Sequence, residues 1–177
     1  KNIDGDSFYL KADTLIDLAD TTLNQKRSLR AFRKVKVYKS DMQAVADSMV
    51  YNFSDSTIGF YTDPVLWTDS NQITGDTILV FRGLEGLEKL EAFKNGFVIE
   101  KDRNGFYNQI KGKRLDAFFL ESRLKRIEVD GNGQSVYYAL EDSTHYSGVN
   151  EVVCGKMVIF TDTTNKVRTI NFQNKPK

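Results

Sequence analysis

The chain has 177 residues, 40% apolar and 28% charged, a balance that supports one core-forming soluble domain and excludes a disordered chain. Its net charge of +1, from 25 basic and 24 acidic residues, gives no global field that would recruit nucleic acid or an anionic membrane. No apolar run approaches the roughly 18 residues of a spanning helix, and the polar opening "KNIDGDS" lacks a charged-then-apolar leader, so the sequence reads as a mature or trimmed form without stable membrane insertion.

In chain order, the first apolar pattern is "LKADTL", with Leu10 and Leu15 around the small residue Ala12. Segment 14–34 is ambiguous, since "TLIDLADTTLNQKRSLRAF" is compatible with a short helix. The run from Lys26 to Lys39 holds Lys26, Arg27, Arg30, Arg33, Lys34, Lys36 and Lys39, and its alternation of Val35 and Val37 with Lys34 and Lys36 predicts a strand with one basic face. A fuller unit follows in "AVADSMVYNFSDSTIGF", where Ala44, Ala46 and Met49 precede Ile58 and Phe60.

Three longer segments then align without gaps, 73–92, 110–129 and 153–172. They agree at Ile73/Ile110/Val153, Gly75/Gly112/Gly155, Ile78/Leu115/Val158, Leu87/Leu124/Val167, Leu90/Ile127/Ile170 and Ala92/Val129/Phe172. The small anchors Ala12, Ala46, Gly75, Gly112 and Gly155 lie 34, 29, 37 and 43 residues apart, the variability of a solenoid-like β protein with insertions in its connections. Within each unit apolar residues alternate, as in Ile78 and Val80 or Leu115, Ala117 and Phe119, which is the period of a half-buried strand. The helical rival "GLEGLEKLEAF", with Leu84, Leu87 and Leu90 at threes, is interrupted by two glycines, so strand is the better reading.

In each unit the apolar residue two before the anchor and the one three after it are separated by an odd number of positions. A regular strand would place them on opposite faces, so the alternation slips once at the anchor, as at a bulge or corner where glycine or alanine fits. The sequence therefore predicts roughly 16 short strands that bend at stacked corners and enclose a shared interior.

Few residues suggest chemistry. Asp13, Asp47 and Asp76 follow three anchors, but Lys113 and Lys156 take that place in the other two, which fits a solvated corner better than a metal or acid–base site. His145 and Cys154 are the only histidine and thiol, and no orienting motif joins them. No motif for nucleophilic, zinc or nucleotide chemistry is present, and neither a cofactor nor a metal is expected. Among twelve Phe, eight Tyr and one Trp, the strand-borne Phe60, Trp67, Phe97, Phe106, Phe119, Tyr138 and Phe160 read first as packing residues and second as the lining of an apolar groove.

The stretch "VKVYKSDMQAVADSMVYNFSDSTIGFYTDPVLWTDSNQITGDTI", with its "ADS" and "GDT" corners, resembles the OstA-like domain of LptA-related periplasmic lipopolysaccharide-transport proteins. The likeness continues through "NGFYNQIKGK", "VDGNGQSVYY" and "GVNEVVCGKMVIFTD", from about Phe8 to Phe172. It implies one all-β domain over 1–177, a fragment of a longer repeat-containing protein, built as a stacked, twisted, V-shaped β-jelly-roll open at its ends. It also implies a periplasmic, non-enzymatic domain that holds lipopolysaccharide acyl chains and pairs end to end with other OstA-like domains in a bridge between inner and outer membranes. On that reading the wall residues are Ile78, Val80, Leu90, Leu115, Ala117, Ile127, Val158, Phe160 and Ile170, and Arg33, Lys34 and Lys36 meet phosphates. The alternative is a structural spacer or assembly module with a solidly packed interior.

Overall fold

The computed structural model describes residues 2–3, 6–19, 27–40, 42–68, 71–83, 86–102, 104–121, 123–141, 145–162 and 167–174. Lys26 of the basic run and Leu84 of the helical rival lie outside them. The described residues form fifteen strands: β1 (Asn2–Ile3), β2 (Asp6–Ser7), β3 (Tyr9–Lys11), β4 (Thr14–Ala19), β5 (Arg27–Lys39), β6 (Met42–Asn52), β7 (Thr57–Tyr61), β8 (Val65–Thr68), β9 (Asn71–Thr74), β10 (Thr77–Gly83), β11 (Gly86–Lys101), β12 (Tyr107–Leu120), β13 (Arg123–Leu140), β14 (Tyr146–Thr161) and β15 (Val167–Gln173). Of segment 14–34, whose spacing is compatible with a short helix, the described residues are β4 and the start of β5, and 20–26 lie outside them. An edge strand exposed on both faces, carrying Leu15, Ile16 and Leu18, produced the helix-like spacing.

Apart from the β1–β2 pair, thirteen strands belong to one antiparallel network. The strands number nearly what alternation predicts, but several are long and bent rather than short. Each long strand crosses a corner and contributes to two layers. Thus β6 pairs along its whole length with β5, while its other edge is shared by β8 at Gln43–Val45 and β7 at Ser48–Asn52. On β11 the edge away from β12 is likewise divided between β10 and β9.

The corner has two alternating solutions. On β5, β11 and β13 the register slips between Phe32 and Val35, Phe93 and Gly96, and Asp130 and Gly133. The inserted pairs are left-handed: Arg33 and Lys34 (φ 63° and 53°), Lys94 and Asn95 (50° and 59°), Gly131 and Asn132 (75° and 53°). Thr62 and Asp63 make the same turn between β7 and β8, at φ 63° and 52°. The intervening strands pass with the small residues expected from the sequence. Backbone bonds join the two kinds of corner, Asp13 N to Arg33 O at 3.0 Å, Thr62 N to Asp76 O at 3.2 Å, Asp76 N to Phe93 O at 3.0 Å and Gly155 N to Asn174 O at 3.1 Å.

Six strands close on themselves, because β10 pairs with both β7 and β11: the path β6–β7–β10–β11–β9–β8 returns to β6. This six-strand barrel, extended by β12 to β15 on one side and β3 to β5 on the other, departs from the expected jelly-roll open at both ends. Its interior is filled by Met49, Ile58, Phe60, Leu66 and Ile78, all essentially without solvent contact.

At Gly112 an added Cβ would lie 2.4 Å from Cγ1 of Val129, a buried β-branched side chain with little rotamer freedom. Gly112→Val is expected to cost about 2 kcal/mol or more of stability by overpacking, measured as a lower midpoint in urea unfolding.

Candidate functional site

Register builds the inner wall one rung at a time. In the first layer Ala31, Met49, Phe60, Ile78, Ala92, Leu115, Val129, Met157 and Phe172 stand side by side across nine strands. The next rung holds Leu29, Tyr51, Ile58, Val80, Leu90, Ala117, Ile127, Ile159 and Ile170. Facing them, the second layer carries Leu10, Val37, Ala44, Leu66, Ile73, Val98, Ile110, Ser135 and Val152. The buried and partly buried members of these rungs join one apolar cluster.

Seven of the nine expected wall positions therefore lie on inner rungs. Ile78, Val80, Leu90 and Leu115 are buried, and Ala117, Ile127 and Ile170 pack half-buried against them. Val158 and Phe160 do not: Met157 and Ile159 point inward on β14, and Phe160 is 37% exposed on the outer face. The cause is the anchor. Cys154 pairs with Gly133, so Cys154 and not Gly155 occupies the small inward place, and Val152 takes the position assigned to Val153. A shift of one residue exchanges the faces of a strand.

Burial is graded along the wall. Beyond β11, Leu115, Val129, Cys154, Met157 and Ile159 are as sealed as the rungs of the barrel, whereas the inward Ile110, Ala117, Phe119, Ile127, Val152 and Ile170, and Val98 on β11, are only partly covered. The same region has a polar rim on the second layer. Asn108 Nδ2 donates to Glu100 Oε2 at 3.2 Å, and burial, with a smaller effect of the Glu100 carboxylate, raises the pKa of Tyr137. Between this rim and the corner lies Ser135, 4% exposed, with no hydrogen-bond partner for its hydroxyl. Its alternation with Gln134 and Val136 was the available signal, but a lone serine on a strand does not announce burial.

The basic residues are dispersed. Arg33 and Lys34 sit exposed at the corner, where Lys34 Nζ is 3.6 Å from Asp13, and Lys36 lies on the outer face of the second layer. None of the three lies on the inner wall. Arg27 pairs with Asp17. Asp13, Asp47 and Asp76 occupy separate exposed corners, and among the described residues no group of three or more potential metal ligands occurs. His145 precedes β14 and Cys154 lies eight residues into it, more than about 25 Å away along an extended strand, so they form no dyad. Of the noted aromatics, Phe60 is core and Phe119 packs against the core. Phe106 clusters with Tyr138 and Tyr146, at 4.9 Å and 4.8 Å between ring centroids. Tyr146 in turn hydrogen-bonds Asp102, whose carboxyl pKa lies below its ordinary value: burial raises it, but the Tyr146 hydroxyl and three backbone amides more than offset that.

Bent antiparallel strands with a largely apolar wall between two layers define an all-β domain. Residues 3–84 match the family described as LptA/(LptD N-terminal domain) LPS transport protein. The OstA-like resemblance read from the sequence is borne out. The fold likeness reaches further: the crystal structure of LptH, the LptA-homologous periplasmic component of the lipopolysaccharide transport device of Pseudomonas aeruginosa, matches with a TM-score of 0.59 at 15% identity. That match covers 76% of this chain and 82% of LptH. No curated protein sequence matches this one. Among the described residues no helix is long and apolar enough to cross a membrane.

Two outcomes test the wall. Burial pushes the Cys154 thiol pKa up, although backbone amides of Gln173 and Lys156 act against this, so a disulfide reagent at pH 8 should label folded protein far more slowly than unfolded protein. Because the Ser135 hydroxyl is already unpartnered, Ser135→Ala should leave stability unchanged or raise it by about 1 kcal/mol, read by urea unfolding.

Proposed function

We propose that the domain binds lipopolysaccharide through its acyl chains and hands it on in the periplasm as part of a bridge between the two membranes. The observation that supports this most is the uneven cover of the inner wall beyond the barrel: Leu115, Val129 and Met157 are sealed beside the crease, while Ala117, Ile127 and Ile170 on the next rung are only half covered, near a polar rim. An amphiphile needs that combination, with its tails against Leu115, Ala117, Ile127 and Ile170 and its head toward Glu100, Asn108 and Tyr137. Burying a chain of about fourteen carbons contributes on the order of 10 kcal/mol before ordering costs, at about 0.8 kcal/mol per methylene. Similar rungs along the wall let a chain shift between near-equal sites. On this reading the two layers part as a V beyond the barrel, and the domain has no catalytic role.

End-to-end assembly is part of the same proposal. Among the described residues β4 and β15 pair along one edge only, which leaves backbone groups that can extend the sheet into a neighbouring domain, and β4 exposes Leu15, Ile16 and Leu18. Arg33 and Lys34 are displaced from any role inside the wall, and the corner leaves them able to meet phosphate only from outside.

A second reading, a structural spacer with a solid interior, is favoured by the filled barrel. Photo-cross-linking separates the two. With a photoreactive residue in place of Ala117 or Ile127, lipopolysaccharide adducts should form, while the same residue in place of Val158, on the opposite face, should give few. Equal yields at all three positions, or none, would leave the spacer.

A further inference from the structure

The outer face of the second layer carries a feature that the inner wall does not use. One outward rung reads Tyr9, Tyr38, Gln43, Trp67 and Gln72 across β3, β5, β6, β8 and β9. It spans about 19 Å at four strand spacings. Tyr9, Tyr38 and Trp67 are 63%, 52% and 37% exposed, so three large rings face solvent on one line. The Tyr9 and Tyr38 rings lie 6.2 Å apart and tilted by 50°, and Trp67 Nε1 donates to Gln72 Oε1 at 3.0 Å, which fixes the indole. Together with Lys11, Lys36 and Val45 they line a shallow groove of about 450 Å³.

The adjoining rung sharpens the chemistry. Lys11 and Lys36 are direct cross-strand partners, and among the described residues neither has an ion pair. Like charges directly opposite each other destabilise a sheet. On the outer face of the first layer, by contrast, Arg114 reaches Glu91 at 2.8 Å and Asp116 at 2.9 Å, and Arg126 lies 3.0 Å from Glu128. An uncompensated lysine pair beside open aromatic faces is a local inconsistency of the kind that marks a binding site.

We propose that this groove binds an anionic oligosaccharide. Sugar C–H faces stack on the exposed rings, the Gln43 amide serves hydroxyls, and Lys11 and Lys36 neutralise a phosphate or sugar-acid group. A concave floor carrying side-chain amides suits a saccharide better than a bilayer, which would be met by a convex apolar surface. The proposal rests on the lipopolysaccharide reading only for the source of the saccharide, which would be the phosphorylated core of a second molecule of the glycolipid proposed for the inner wall.

Trp67 is the single tryptophan, so its emission reports on this groove alone. The full chain is titrated with phosphorylated core oligosaccharide freed of its lipid by mild acid. A saturable change in Trp67 emission is expected, weakened about tenfold by Tyr38→Ala and by salt, retained in Tyr38→Phe, and reduced by the double change Lys11→Gln and Lys36→Gln. Circular dichroism of the variants should match that of the parent, since all three positions are on the surface. No emission change with oligosaccharide, or binding indifferent to Tyr38→Ala, overturns the proposal. So does a blue shift of Trp67 produced only by phospholipid vesicles, or only by self-association. Cross-linking at Ala117 without an oligosaccharide response would sink the groove alone; an oligosaccharide response without cross-linking would sink the inner-wall reading and leave the groove.

Discussion

The structure depends on how an antiparallel strand turns a corner without losing its register with the next. Left-handed backbone costs a non-glycine residue about 1–2 kcal/mol, yet Arg33, Lys34, Lys94 and Asn95 all adopt it. The arrangement holds because each such pair abuts a small residue whose backbone it can approach and hydrogen-bond, as Asp76 N does with Phe93 O. Repeated up the stack, the alternation of left-handed pair and small residue makes one continuous crease. The crease brings two faces of one strand network together, and their apolar rungs offset its cost.

The second organising feature is where pairing closes. Because β7 with β10 and β8 with β9 bridge β6 to β11 on both sides of the crease, the middle of the molecule is tied into a barrel. Strands beyond β11 lack such a bridge among the described residues, and while Leu115, Val129 and Met157 beside the crease stay sealed, Ala117, Ile127 and Ile170 farther from it are less covered. Packing and accessibility are thus separated along one wall. Outward, the first layer spends its side chains on matched charges and cation–ring contacts, such as Arg126 4.3 Å from the centre of Phe118. The second layer leaves an unmatched lysine pair and open rings.

Much of this was legible in the residues. The odd spacing from Ile73 to Ile78 across Gly75 revealed the crease, and alternation placed Ile78, Val80, Leu90 and Leu115 inside. Two failures have physical causes. Cysteine is a small apolar residue in a strand, and the gap-free alignment fixed on Gly155 instead of Cys154, which sent Val158 and Phe160 to the wrong face. The helix-like spacing of Leu15 and Leu18 belongs to an edge strand, where alternation is not enforced because neither face is sealed. The barrel itself was not readable, since closure is a matter of which hairpins meet and not of the pattern within any one of them. Nor did Tyr38 and Trp67 stand out singly; only the register places them on one line.

The filled barrel also sets a limit on traffic. With Phe60, Met49 and Leu66 occupying the middle, the enclosed space is a blind sleeve and not a pipe running from end to end. An apolar chain held between the layers would have to lie beside the half-covered Ala117, Ile127 and Ile170 and not along the axis of the barrel.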